Sequence, residues 1–419
     1  MKAALVRRNV HCRGSAYVAL LGLSLLVAVI GTGGLLISRA QSRAADLQRD
    51  MGEARLNAVS AVQYGRAQID KDPNWRSTHV NGSWYANIPL GNGTFSLDVT
   101  NPNGPLNNSM SDPVVLTGTG VCGSAVQQVQ ATLTATVTPL TCLQTAITAG
   151  SISFANTTVN ASGQVIAAIG SVTAGTGGTG ATIDGDVEAG GLVSGFTYNG
   201  KTTSNAAPRT MPASTVFDYY KANGTTVSYG STGGAISKTL ISPAANPMGG
   251  GTNTRGIYVI DCGGGTLSIS LCRVVGTLVV LNTSGVTVQS SVTWDPAVAG
   301  YPCLLVQGPL TLKMVTTALA ENKSTNLNPT GTPYPYPSGS VDGDTSDSYP
   351  SAINGLVYCT GDCTTGSGPQ VNILLVGGTL SSTTTLTALG DAAVLANPPP
   401  GFYSVQMKLS RGSWRQVVR

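Results

Sequence analysis

The hydrophobic pattern changes its period three times along the chain. Residues 14–38 carry no charge, and as a helix they reach about 37 Å, enough to cross a bilayer. Beyond Arg39, small or apolar residues fall at Ala40, Ala44, Leu47, Met51, Ala54, Ala58, Val62, Gly65 and Ile69. Alternating steps of three and four make one helical stripe. The opposite face holds Arg43, Asp46, Arg49, Asp50, Glu53 and Arg55, with Arg49 and Glu53 spaced to pair at i, i+4. Pro73 is a natural stop. The pattern predicts one helix over 15–72, roughly 85 Å long, with a membrane-spanning half at 15–38 and an amphipathic half at 39–72.

The period then falls to two. Strands are expected at 84–88, 94–100, 113–122 and 125–137, with a hairpin turn at Cys122-Gly-Ser-Ala125. Val129, Ala131, Leu133, Ala135 and Val137 alternate strictly, so one face of this antiparallel sheet, over 73–144, is buried. The stripe of the preceding helix is the nearest cover. From about residue 145 to 419 short apolar strands follow one another between glycines, and a Gly-x-Leu step recurs near Gly190, Gly265, Gly276, Gly308 and Gly378. Strands roughly every 10 residues over 255–314 suit the stacked turns of a right-handed parallel β-helix, with a β-sandwich as the alternative fold. A short helix is expected at 213–222 and a loop at 328–337. The chain is therefore mainly β behind a long N-terminal α-helix.

These features resemble the type IV pilin and type II secretion pseudopilin superfamily. The matching residues are the basic leader (Lys2, Arg7, Arg8, Arg13), its end at Arg13-Gly14, the apolar helix that starts at once, and the amphipathic continuation into a β-rich body. The resemblance implies a leader of residues 1–14 cut by a prepilin peptidase between Gly14 and Ser15. It also implies other pilins or pseudopilins as partners. The family has Glu at the fifth mature position, where this chain has Ala19. Minor members of the K-type pseudopilin and PilX type lack that Glu and sit at the tip or in the initiating complex. The tail, from Asn397 through three prolines to Phe402 and on to 418, resembles the ending of PilX-like proteins that join a pilin stem to a β-helix. An ordinary signal anchor on an unrelated surface protein is the competing reading of 1–38.

Charge and composition narrow the function. Residues 1–72 hold 10 Lys+Arg against 5 Asp+Glu and the remaining 347 hold 13 against 14, so the body is neutral and offers no basic stripe for nucleic acid. There are two histidines, His11 in the leader and His79 in a polar loop, which leaves little for a catalytic triad or a two-His zinc site. Eight Asn-x-Ser/Thr sites arise by chance in so Asn-, Ser- and Thr-rich a chain, and the leader points to a bacterium.

Four groups invite chemistry. Asp342, Asp344 and Asp347 sit at positions 1, 3 and 6 of a loop, the opening of a calcium site, although no Glu completes it as in an EF-hand. Asp184, Asp186 and Glu188 form a second acidic group that reads as a solvated turn. Asp261, Asp295, Asp362 and Asp391 could meet on one face as a hydrolytic pair, but aromatic platforms for sugar are scarce around them. No catalytic residue is assigned and no cofactor is expected besides possible calcium. Of the eight cysteines, Cys12 leaves with the leader. Cys122 and Cys142 lie at opposite ends of a strand about 40 Å long. Cys359 and Cys363, across a Thr-Gly-Asp turn, are the expected disulfide.

The sequence reads as a minor pilin-like or pseudopilin-like structural protein. It would be anchored once in the bacterial inner membrane with a periplasmic or extracellular body, and would start or cap a filament. A membrane-anchored surface protein that binds or degrades polysaccharide is the alternative.

Overall fold

A computed structural model describes residues 13–72, 75–107, 109–175, 181–321, 325–332 and 343–417. They form two compact units, one of residues 1–136 and 405–419, the other of residues 137–404.

The first unit is a helix on a sheet. Helix α1 (Arg13–Lys71) runs unbroken for 59 residues. Strands β1 (Gly82–Leu90), β2 (Gly93–Thr100), β3 (Val114–Cys122) and β4 (Ala125–Pro139) follow as an antiparallel meander, matching the expected strands to within two residues at each end. The stripe is buried from Ala54 onward, through Ala58, Ala61, Val62 and Ile69, against Leu97, Val99, Leu116, Ala131 and Leu133. Leu47 and Met51, in the same stripe, stay about two-fifths exposed.

The helix approaches closely because β3 has glycine where its inner face meets the stripe. A Cβ on Gly118 would lie 2.2 Å from the Ala58 carbonyl oxygen, and one on Gly120 would lie 2.0 Å from that of Ala54. The Thr-Gly-Thr-Gly run thus replaces two apolar side chains with helix backbone. The tail corrects the expected division of the chain. Instead of ending the β-helix, strands Tyr403–Leu409 and Arg415–Val417 pair with β4, the second in register Arg415 to Gln130, extending the first sheet.

The second unit is a solenoid of short parallel strands, three to a turn. The pairs 257–261 with 277–281, 266–270 with 285–290, and 273–275 with 293–295 show the repeat. The described strands of this sheet pair in parallel, which excludes the sandwich. Corners are tight: Gly276 and Gly308 have positive φ, and a Cβ on them would lie 2.3 and 2.4 Å from backbone oxygens of the previous turn.

The turns do not stack in chain order. Residues 147–203 wind outward from the middle of the stack, and the chain then crosses to the far end and winds back through 225–388. The last turn docks on the first at a seam, with Leu374 beside Ile147, Leu380 beside Ile152 and Leu386 beside Val159. Both stretches advance in one direction, so 386–388 leads across the seam into 147–203 as one coil.

Two of the three faces are covered. The outward residues Ile257, Val259, Val279, Leu305, Tyr358 and Leu375 lie under the helix Val216–Asn223 and its neighbours, Phe402 among them; that helix was expected at 213–222. A second face carries the insertion between Met314 and Ala352, held by the antiparallel pair Leu319–Ala320 and Ser348–Tyr349. The expected loop at 328–337 is described only to Thr332. Among the described residues no segment covers the third face.

Candidate functional site

The N-terminal half of α1 is the most exposed apolar surface among the described residues. Its 18-residue window has a mean hydropathy of 2.4 and none of it is buried; Tyr17, Leu21, Leu25, Ile30 and Leu36 are each more than three-fifths exposed. A helix of this length and composition can anchor in a membrane. Gly14 and Ser15 lie in its first turn, and residues 1–12 of the leader fall outside the described residues. Ala19 is exposed on the same segment.

Further along, Arg49 turns to Asp46 and Asp50, at 3.9 and 3.7 Å, rather than to Glu53 as its spacing suggested. Glu53 instead takes the Cys122 thiol at 3.1 Å and the Asn92 amide. That hydrogen bond, with burial, pushes the Cys122 thiol up to about 11. The hairpin tip can sit there because residue 123 is glycine, where a Cβ would come within 2.3 Å of the Asp50 carboxylate.

The acidic loop divides. Asp342 lies outside the described residues. Asp344 closes on Ser346, accepting from its N–H at 2.8 Å and its hydroxyl at 2.6 Å, and these bonds hold the carboxyl below its ordinary value. The Asp347 N–H points to Glu321. Among the described residues no three His, Cys, Asp or Glu side chains gather as metal ligands.

Sequence reasoning missed a buried network behind this loop. Glu321, 2% exposed, accepts from Leu327 N at 2.6 Å and from the Tyr349 hydroxyl at 2.9 Å. Arg273, 1% exposed, stacks 4.9 Å above the Tyr349 ring and donates to the Leu327 carbonyl at 2.8 Å. Burial lowers the Arg273 pKa and raises that of Tyr349, with the Glu321 hydrogen bond adding to the second. The two charges fix the insertion on the solenoid. Their separation of 48 positions left no local signal.

The carboxylates proposed as a hydrolytic pair serve separate corners. Asp261 accepts from Asn282 on the next turn and from Gly263 N, which together lower its pKa. Asp295 accepts from Asn354, Asp362 from Thr379 N, and Asp391 caps the short helix Ala392–Ala396. In the second acidic group, Asp184 takes Asn199, Asp186 takes Lys201 N, and Glu188 takes Arg209 at 2.7 Å. Each carboxylate anchors a neighbouring turn.

The seven described cysteines are buried thiols. Cys359 ends the strand Ala352–Cys359 and Cys363 opens the strand Cys363–Thr365, so their side chains share one corner of the solenoid interior. The Cys363 thiol is hydrogen-bonded to Cys359, and that contact, ahead of burial, drives its pKa well up. The expected bridge is not formed here, although the two sulfurs are neighbours. In protein exported to an oxidising compartment, non-reducing peptide mapping is expected to recover residues 359 and 363 in one cross-link. Linkage of Cys359 to Cys262, Cys272 or Cys303 would contradict that pairing.

No family model and no curated protein matches the sequence. Among solved structures, the competence-associated pilin ComZ from Thermus thermophilus aligns with 88% of this chain and 97% of its own, at 9% identity and a TM-score of 0.35, a likeness too loose to carry an argument.

Proposed function

We propose that the chain is a pilin-like structural subunit, held in the bacterial inner membrane by the first half of α1, that enters a type IV pilus or type II secretion filament as a tip or initiating component. The observation that carries this reading is α1 itself. One 59-residue helix is bare and apolar over its first half, then buries one stripe on an antiparallel sheet. Such a helix suits a subunit that waits in a membrane and later packs against copies of similar helices. Ala19 supports a terminal place, because a carboxylate inside a bilayer is tolerated only when paired. With no carboxylate at Ala19, the chain lacks the pairing that repeated shaft packing would use. Calcium has no role in this reading.

N-terminal sequencing of the mature protein tests it. A start at Ser15 is expected, made by a prepilin peptidase. A start between Leu35 and Ser42 would show a conventional secreted protein and remove the basis for a filament role.

A further inference from the structure

The bare face of the solenoid has an order that the other two lack. On each strand of this face the residues alternate inward and outward, and the central outward residues stack in register: Ser268, Thr287, Thr311, Thr364, Ser381, Ser153, Thr173 and Ser194. Eight consecutive turns place a hydroxyl at one position, and the row crosses the seam without a break. Their inward neighbours, such as Leu267, Ile269, Val286, Val288, Leu310 and Leu312, are buried, so the row is fixed by the core beneath it. Strand spacing sets the hydroxyls roughly 4.8 Å apart over about 34 Å.

These hydroxyls are half-buried or exposed, and most are unused. Ser268 accepts from Gln289 at 3.2 Å, and Thr173 reaches the Ile152 carbonyl at 3.5 Å. Among the described residues the other six make no side-chain hydrogen bond. Each can both donate and accept. The flanking outward positions are nearly neutral: the charged side chains there are Lys313 and Asp362, and Asp362 is already bonded to Thr379 N.

The chemistry of the row selects its occupant. An anionic polymer or a mineral would need matching charges, which the face lacks. A soluble sugar or a crystalline polysaccharide would need exposed rings to stack on, and the rings beside the row, Phe196 and Tyr229, pack against the core instead. A peptide would touch only a few turns. Single hydroxyl contacts are worth about 1 kcal/mol at most after water is displaced, so affinity accumulates only on a rigid surface that repeats along the whole row. Neutral, periodic and built of groups that donate and accept, that surface is crystalline water. We propose that this face binds ice.

The inference goes beyond the filament role and does not depend on it. The test is partition of the full chain, in lipid nanodiscs, into slowly grown ice against empty nanodiscs carrying an unrelated anchored protein. Enrichment in the ice fraction is expected. Thr287→Tyr with Thr364→Tyr, both at solvent-facing positions, should lower that enrichment at least about tenfold, while Thr202→Tyr, off this face, should leave it unchanged. Should the double variant fail to fold by circular dichroism, Thr287→Lys alone is read in its place. Exclusion of the wild type from ice, including exclusion together with retention on crystalline cellulose, would overturn the proposal. So would equal enrichment of a folded face variant.

Discussion

Replacing Gly120 with valine is expected to destabilise the helix-on-sheet unit by about 3 kcal/mol, toward the upper end of what overpacking costs. The new Cβ would meet the Ala54 carbonyl at 2.0 Å and the Ala58 nitrogen at 2.5 Å, and helix backbone cannot swing aside as the end of a long side chain can. Separation of α1 from β3 is the expected outcome. Chemical denaturation followed by the fluorescence of Trp75 and Trp84, which lie 5.8 Å apart in this unit, reads it. Val126→Thr, at a residue 55% exposed on β4, should stay within about 0.5 kcal/mol of wild type. A Gly120→Val protein as stable as wild type would mean that the helix does not sit on β3 this closely.

Arg273→Ala is expected to cost about 3–5 kcal/mol, the usual penalty for removing one member of a buried charged network. The loss falls first on the insertion, because Arg273 holds Leu327 and stacks on Tyr349 while Glu321 gathers both segments. Limited proteolysis should cut within 325–332 or 343–349 well before the solenoid unfolds. Arg273→Lys should rescue little, since an ammonium cannot stack as a guanidinium does. Unchanged protection of both segments in Arg273→Ala would show that the network is dispensable.

The sequence made the periodic parts of this molecule legible. The helix stripe, the four strands of the first sheet and the Gly-punctuated turns of the solenoid all follow from local spacing, which is why the boundaries expected for the helix and the four strands agree closely with those observed. The exceptions have a common cause in pairings between residues far apart in the chain. Nothing local says that the Tyr403 strand returns to β4, that Glu53 is taken by Cys122 and Asn92 and so withheld from Arg49, or that Arg273 and Glu321 share a buried site. The hydroxyl row was hidden for the same reason: each Ser or Thr is ordinary in its own strand, and only the register makes them a column. Asp261, Asp295, Asp362 and Asp391 look like candidates for chemistry in sequence, yet each is used to fasten a corner.

The seam implies an order of events in folding. The turn at 147–160 stacks on 165–189 on one side, but its other side finds a partner only once residues 370–388 exist, and Thr157 and Ser382, hydrogen-bonded across the seam, are 225 positions apart. A chain emerging N-terminus first therefore has the beginning of this unit waiting for its end. Closure over such a distance is entropically costly and slow. A circular permutant that begins at 225, runs to 388, joins directly to 147 and ends at 203 would turn that long-range closure into nearest-neighbour stacking. The native connectivity trades folding speed for something else: both ends of the unit, at 137 and 404, fall beside one another, where Leu140 N bonds to the Phe402 carbonyl. The whole solenoid is thereby an insertion hung from a single point of the chain, which allows it to be lost or exchanged without rethreading the sheet that carries it.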